Sequence, residues 1–178
     1  MRSERHAVTE HMTATEFALR YQEHVTPLYR YFSHHTGGNA ADAEDLTAST
    51  VSKALVSIGA YTGRGSLAAW LFGIARHTLT DYHRRRCVTV AIADVPSLAD
   101  AAPLPEQEII RWEAEDDLHA RIRDLPASQR EALTLRYFGA LHIAEIAVVL
   151  DRSEGAVKLL IHRALTTLRT QYRQEEER

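Results

Sequence analysis

The stretch Trp70-Leu71-Phe72-Gly73-Ile74-Ala75-Arg76-His77-Thr78-Leu79-Thr80-Asp81-Tyr82-His83-Arg84-Arg85-Arg86 limits this chain more than any other. Leu71, Ile74, Ala75, Thr78, Leu79 and Tyr82 recur at helical spacing and form one apolar stripe that has to be buried. The opposite face carries Arg76, His77, Thr80, Asp81 and His83, and the helix runs out into three arginines. A polar face with aromatics at one end and arginines at the other suits a surface that meets bases and phosphates. The competing reading is an amphipathic core helix whose terminal arginines complement the helix dipole.

The pattern around this stretch is helical throughout. Thr15 to His34 carries Phe17, Leu19, Tyr21, Val25, Leu28, Tyr29 and Phe32 at roughly helical spacing, and His35 to Asn39 is a glycine-containing stop. Ala40 to Ile58 is a second helix, Gly59 to Gly65 a loop, and Ser66 an N-cap for the Trp70 helix. Val88 to Pro105 loses the stripe and holds Pro96, Pro103 and Pro105, which reads as a linker. Beyond it, Glu106 to Leu125 is a helix, Pro126 opens Ala127 to Phe138, and Gly139 ends it. His142 to Leu150 is short, Asp151-Arg152 turns tightly, and Ser153 caps a longer helix with Val157, Leu160, Ile161, Ala164, Leu165 and Leu168 inward. Short helix, tight turn and longer basic helix is the layout of a helix-turn-helix; a generic three-helix bundle is the plain alternative.

The expected fold is therefore all-α: two small helical domains joined by a flexible linker, the second a helix-turn-helix domain. The divisions are a polar leader over 1–14, domains over 15–87 and 106–172, a linker over 88–105 and a charged tail over 173–178. Met12 is an alternative start. No signal peptide or membrane-length apolar run is present, so a cytoplasmic location is expected. The single cysteine, Cys87, rules out an internal disulfide.

The formal net charge of −3 does not advertise a nucleic-acid binder, but its distribution is uneven. Arg64, Arg76, Arg84, Arg85 and Arg86 gather in one segment, and Lys158, Arg163, Arg169 and Arg173 in another. Acidic residues concentrate at Asp42, Glu44 and Asp45, between Glu106 and Asp117, and in the tail. Two local basic surfaces on an acidic chain fit contact with DNA through patches, with a larger partner supplying further affinity.

Two motif sets resemble the extracytoplasmic-function subgroup of bacterial RNA polymerase sigma factors. The first is Asp42-Ala43-Glu44-Asp45-Leu46, then Trp70-Leu71-x-x-Ile74-Ala75-Arg76, Asp81 and the arginines, similar to the family's region 2. The second is Leu125-Pro126-x-x-Gln129-Arg130-Glu131, Leu135-Arg136-Tyr137, Glu145-Ile146-Ala147, Ser153-Glu154-Gly155-x-Val157-Lys158 and His162-Arg163-Ala164, similar to region 4. The resemblance spans roughly Phe17 to Leu168. It implies a protein that binds core RNA polymerase and directs it to promoter DNA, with no catalytic residues, cofactor or metal of its own. Region 2 would read and open the minus-ten element; region 4 would place a recognition helix at the minus-thirty-five element.

On this reading the DNA-binding residues are Arg64, Trp70, Arg76, His77, Arg84 and Arg85, with Lys158, Leu159, His162 and Arg163 on the last helix. Asp42, Glu44, Asp45 and Ser49 would face the polymerase clamp. An anti-sigma factor is admitted as a further partner. Ala48-Ser49-Thr50-Val51 stands where the family usually has Gln-Glu-Thr-Phe, and His77 where asparagine is common. Ala156 replaces a common threonine, and Leu159-Leu160 stand where polar or basic residues are usual. Leu159 is expected to point outward, towards a thymine methyl, an inhibitor protein or solvent.

Two other classes compete. A stand-alone helix-turn-helix regulator explains the second half and leaves the acidic helix unexplained. An enzyme or metal protein is suggested only by the ten histidines, with His34-His35 and His77/Asp81 as weak pairs and no His-Glu-x-x-His pattern.

Overall fold

A computed structural model describes residues 12–63, 65–90 and 117–176, and every regular element among them is helical. In chain order these are α1 (Ala14–Arg20), α2 (Gln22–His35), α3 (Ala40–Val56), a 3-10 turn (Ile58–Ala60) and α4 (Leu67–Val90). After residue 116 come a short helix over 117–123 (α5), then α6 (Ala127–Tyr137), α7 (Ile143–Leu150) and α8 (Glu154–Glu176). The linker expected over 88–105 lies outside the described residues from 91 onward, and residues 88–90 instead complete α4. The leader through residue 11 also lies outside them.

Polar side chains start the helices where local chemistry asks for them. Asn39 Oδ1 accepts from the Asp42 amide at 3.1 Å, Ser66 Oγ from Ala69 at 3.0 Å and Ser153 Oγ from Ala156 at 3.2 Å. Each satisfies one of the orphan amides of a first turn and contributes about 1 kcal/mol. Thr13 and Glu16 form a reciprocal capping box on α1.

The single helix expected over Thr15 to His34 is two. The ladder breaks at Tyr21, where the His24 amide bonds back three residues to the Tyr21 carbonyl at 2.9 Å. Inside α2, Pro27 has no N–H to give to the carbonyl four residues before it. The break resets the phase of the apolar face: Leu19 is 77% exposed, whereas Tyr31, outside the expected stripe, is fully buried.

Phe17, Ala54, Tyr61, Leu67 and Leu71 make a small cluster at one end. The main core runs continuously from Leu28, Tyr31, Phe32, Phe72, Ala75 and Leu79 of the first half into the second. There it includes Leu125, Leu133, Leu135, Leu141, Ile146 and Val157. The two groups of helices thus share one buried surface. Gly139 permits this closeness. A Cβ at that position would lie 2.8 Å from both the Leu135 carbonyl oxygen and the Phe72 Cε1. The left-handed backbone at this corner falls on the next residue, Ala140, with φ 56°. The glycine that ends α6 is therefore there for space, not for its dihedral freedom.

Candidate nucleic-acid interface

The helix-turn-helix is built from its corner outward. Asp151 adopts a left-handed conformation (φ 51°) that glycine usually supplies, and asparagine or aspartate tolerates. The Arg152 amide then reaches back to the Ala147 carbonyl at 2.9 Å, closing the α7 terminus. Glu145 accepts from the His142 amide at 2.7 Å and closes the other end. Arg136 Nη1 donates to the Leu141 carbonyl at 2.8 Å, pinning the α6–α7 connection.

On α8, Val157, Ile161, Ala164 and Leu168 are buried at i, i+4, i+7 and i+11. That leaves Lys158/His162 and Leu159/Arg163 as two adjacent i,i+4 rows pointing away from the protein. All four are exposed, Leu159 by 48%. Neither Lys158 nor Arg163 has a carboxylate partner among the described residues. This face can deliver cationic donors to phosphates or base edges without first breaking an ion pair.

The α4 candidates are placed differently. Trp70 is half-buried, its ring edge-on to Phe17 at 6.5 Å and tilted on Tyr61 at 5.3 Å, so it packs as well as faces out. Arg76 Nε donates to Glu131 of α6 at 2.6 Å, and that hydrogen bond raises the guanidinium pKa further above its usual value. His77 is exposed, and Arg85 lies on the exposed end of the helix. Arg84 pairs with Asp81 at 3.1 Å, one turn back. Arg64 lies outside the described residues. The structure therefore brings Trp70, Arg76, His77, Arg84 and Arg85 onto one helix, with Arg76 and Arg84 already paired.

The acidic segment also divides. Asp42 accepts from the Tyr82 hydroxyl at 2.6 Å and pairs with Arg86 at 3.6 Å, so it ties α3 to α4. Burial, then the hydrogen bond to Asp42, raises the Tyr82 pKa. Glu44 and Asp45 remain exposed, and Ser49 is half-buried. Beside them runs a groove of about 580 Å³ between α2 and α3, lined by Tyr21, Val25, Tyr29, Thr47, Ala48 and Val51. The α2 contribution was absent from the sequence-based site. Its signal is the i, i+4, i+8 spacing of Tyr21, Val25 and Tyr29, three apolar side chains left half-buried.

Residues 20–87 match the family model of Sigma-70 region 2, and residues 115–168 that of Sigma-70, region 4. The chain is 31% identical over 155 residues to the ECF RNA polymerase sigma factor SigM of Bacillus subtilis, covering 85% of this chain and 92% of SigM. It is 34% identical over 158 residues to the ECF RNA polymerase sigma factor BldN of Streptomyces coelicolor. That match covers 87% of this chain, which spans only 60% of BldN. Among solved structures, the sigma factor RpoE from Bartonella quintana, crystallised with the anti-sigma factor NepR, aligns with TM-score 0.68 and 23% identity. The alignment covers 88% of this chain and 96% of that one and bears on the fold alone.

Proposed function

The chain belongs to the extracytoplasmic-function sigma factors of bacterial RNA polymerase, which serve promoter recognition and transcription initiation, and from that premise we propose how its surfaces divide the work. The outward face of α8 reads the minus-thirty-five element. The observation that carries this is the pair of exposed rows Lys158/His162 and Leu159/Arg163, with no carboxylate tied to the two cations among the described residues. Trp70, Arg76, His77, Arg84 and Arg85 serve the minus-ten element, where unpaired bases need stacking and cationic contacts. Glu44 and Asp45, with the α2–α3 groove beside them, bind core polymerase. Asp42 acts there through its bond to Tyr82, by holding α3 on α4. The protein acts as a cytoplasmic, non-enzymatic initiation factor. No described helix is long and apolar enough to cross a membrane.

Selection of minus-thirty-five variants tests the α8 assignment. If Lys158 or Arg163 touches a base, its alanine variant loses roughly 1–3 kcal/mol and relaxes preference at one position. If it touches only phosphate, all sequences weaken alike and the salt dependence flattens. Unchanged affinity, selectivity and salt slope in both variants would remove α8 from the DNA interface. For the polymerase surface, Asp45→Lys is expected to weaken core binding and run-off transcription while leaving the circular dichroism spectrum intact. Normal core binding by that variant overturns the placement.

A further inference from the structure

A cavity of about 310 Å³ lies where the two halves meet, away from the α8 face and the α2–α3 groove. Its wall carries His34 and His35 from α2, His83 from α4, Arg123 from α5, and Arg130 and Glu131 from α6. The only acid in this set is already paired with Arg76 at 2.6 Å. Arg123 has no carboxylate partner among the described residues, and Arg130 uses Nη1 on the Arg123 carbonyl at 2.5 Å. Ala127, at the first turn of α6, also lines the cavity.

His34 is the second, independent observation. It is 2% exposed, and neither ring nitrogen has a hydrogen-bond partner among the described residues. Its ring is stacked on Phe138 at 4.7 Å, with His119 4.9 Å away. A buried imidazole with two unsatisfied nitrogens is costly unless something pairs with it.

We propose that this cavity binds a small phosphorylated anion, of pyrophosphate to mononucleotide size, and that binding holds the two halves together. The guanidiniums supply charge and fork geometry for phosphate oxygens, and the imidazoles supply further donors. The donors come from both halves, so only the packed arrangement offers the full set, and the ligand stabilises that arrangement by mass action. The same physics predicts proton uptake. Burial first, then the neighbouring histidines and arginines, pushes His34 and His35 down to about 3, so both are neutral. An anion offsets the cationic field and draws protons onto them. None of the residues lining the cavity belongs to the promoter or polymerase assignments, although Arg76 is tied to Glu131 of its wall.

The test is calorimetric titration of magnesium-free pyrophosphate into the full chain at pH 6.5 and constant ionic strength. Two buffers of different ionisation enthalpy are used. Expected are one-to-one binding, net proton uptake and a rise in Tm. Arg123→Gln should weaken binding at least tenfold, and Arg152→Gln, which removes the same charge from an exposed turn, less than twofold. His34→Phe should reduce proton uptake. An adenosine monophosphate arm separates the sources: tighter binding than pyrophosphate assigns a nucleotide, weaker binding an inorganic anion. No heat and no Tm change at millimolar pyrophosphate would overturn the site. Equal weakening by Arg123→Gln and Arg152→Gln would do the same, because it marks diffuse attraction. Small-angle scattering at pH 5.5 should show pyrophosphate making the chain more compact; an unchanged profile overturns the bridging role.

Discussion

Lowering the pH from 7.5 to 5 is expected to destabilise the packed form by about 4 kcal/mol. His34 and His35 sit between the halves, both pushed from 6.5 down to about 3 by burial and by the cations around them. His34 faces His119, Arg123, Arg130 and the Phe138 ring. His35 faces Tyr31, His34, His83, Arg130 and Thr134. The Thr134 hydroxyl donates to the Glu131 carbonyl, so His35 Nε2–H is the donor to Thr134 Oγ1, which fits a neutral ring. The sign follows. Above 6.5 both rings are neutral in every state and nothing is lost. Below 6.5 the separated or unfolded chain binds protons that the packed form refuses, so stability falls with pH until about 3. At pH 5 each ring accounts for roughly 2 kcal/mol. Ordinary carboxylates titrate mostly below this window. Urea unfolding at the two pH values measures the difference, and His34→Phe should remove about half of it. Equal midpoints at pH 7.5 and 5 would show that the rings do not stay neutral in the folded chain.

Phe72→Ala is expected to cost about 3–5 kcal/mol. The ring is fully buried, edge-on to Tyr31 at 5.5 Å, and occupies the space that a Cβ at Gly139 would need, so the gap it leaves opens between the halves. Neighbours fixed on two separate groups of helices cannot close over the gap without moving one group. Chemical denaturation should show the loss, and limited proteolysis should show faster cleavage in the α6–α7 corner. Leu19→Ala, at an exposed apolar position, serves as the reference and should stay within about 0.5 kcal/mol. A loss under 1 kcal/mol for Phe72→Ala would mean that the shared core contributes little to holding the halves together.

What could be read from the chain was local. Ser66 and Ser153 announce their helices because a hydroxyl three residues before an orphan amide is a short-range event. The inward stripe of α8 and the α7–α8 turn follow from spacing alone. Tyr137 follows Leu133 at i+4 spacing on α6, yet it is 57% exposed, because Leu133, Thr134 and Leu135 already fill the inward side. The long-range contacts carry no periodic signal. Nothing in a stripe says that Arg76 meets Glu131, 55 positions on, or that His35 meets Thr134, 99 positions on. Asp42 reads as one of three equivalent acids until its Tyr82 partner appears. The same blindness hid the cavity, whose wall is assembled from both halves.

The shared core also sets how readily this protein finds a promoter. The two elements named for a sigma factor lie about 25 base pairs apart, roughly 85 Å of duplex. A compact chain of this length has a radius of gyration of roughly 16 Å. The packed molecule is too short to touch both elements at once, so reading a promoter requires the halves to part. Apparent affinity for the two elements together is then the intrinsic two-element affinity multiplied by the parted fraction. If one molecule in about a hundred is parted, promoter binding weakens about a hundredfold. Core polymerase that accepts only the parted form removes that handicap as it binds. The close packing of Phe72 at Gly139 is thereby expected to keep the unaccompanied protein from engaging both elements at once, while leaving the α8 face open to either one alone, a threshold held by packing at a distance from any base.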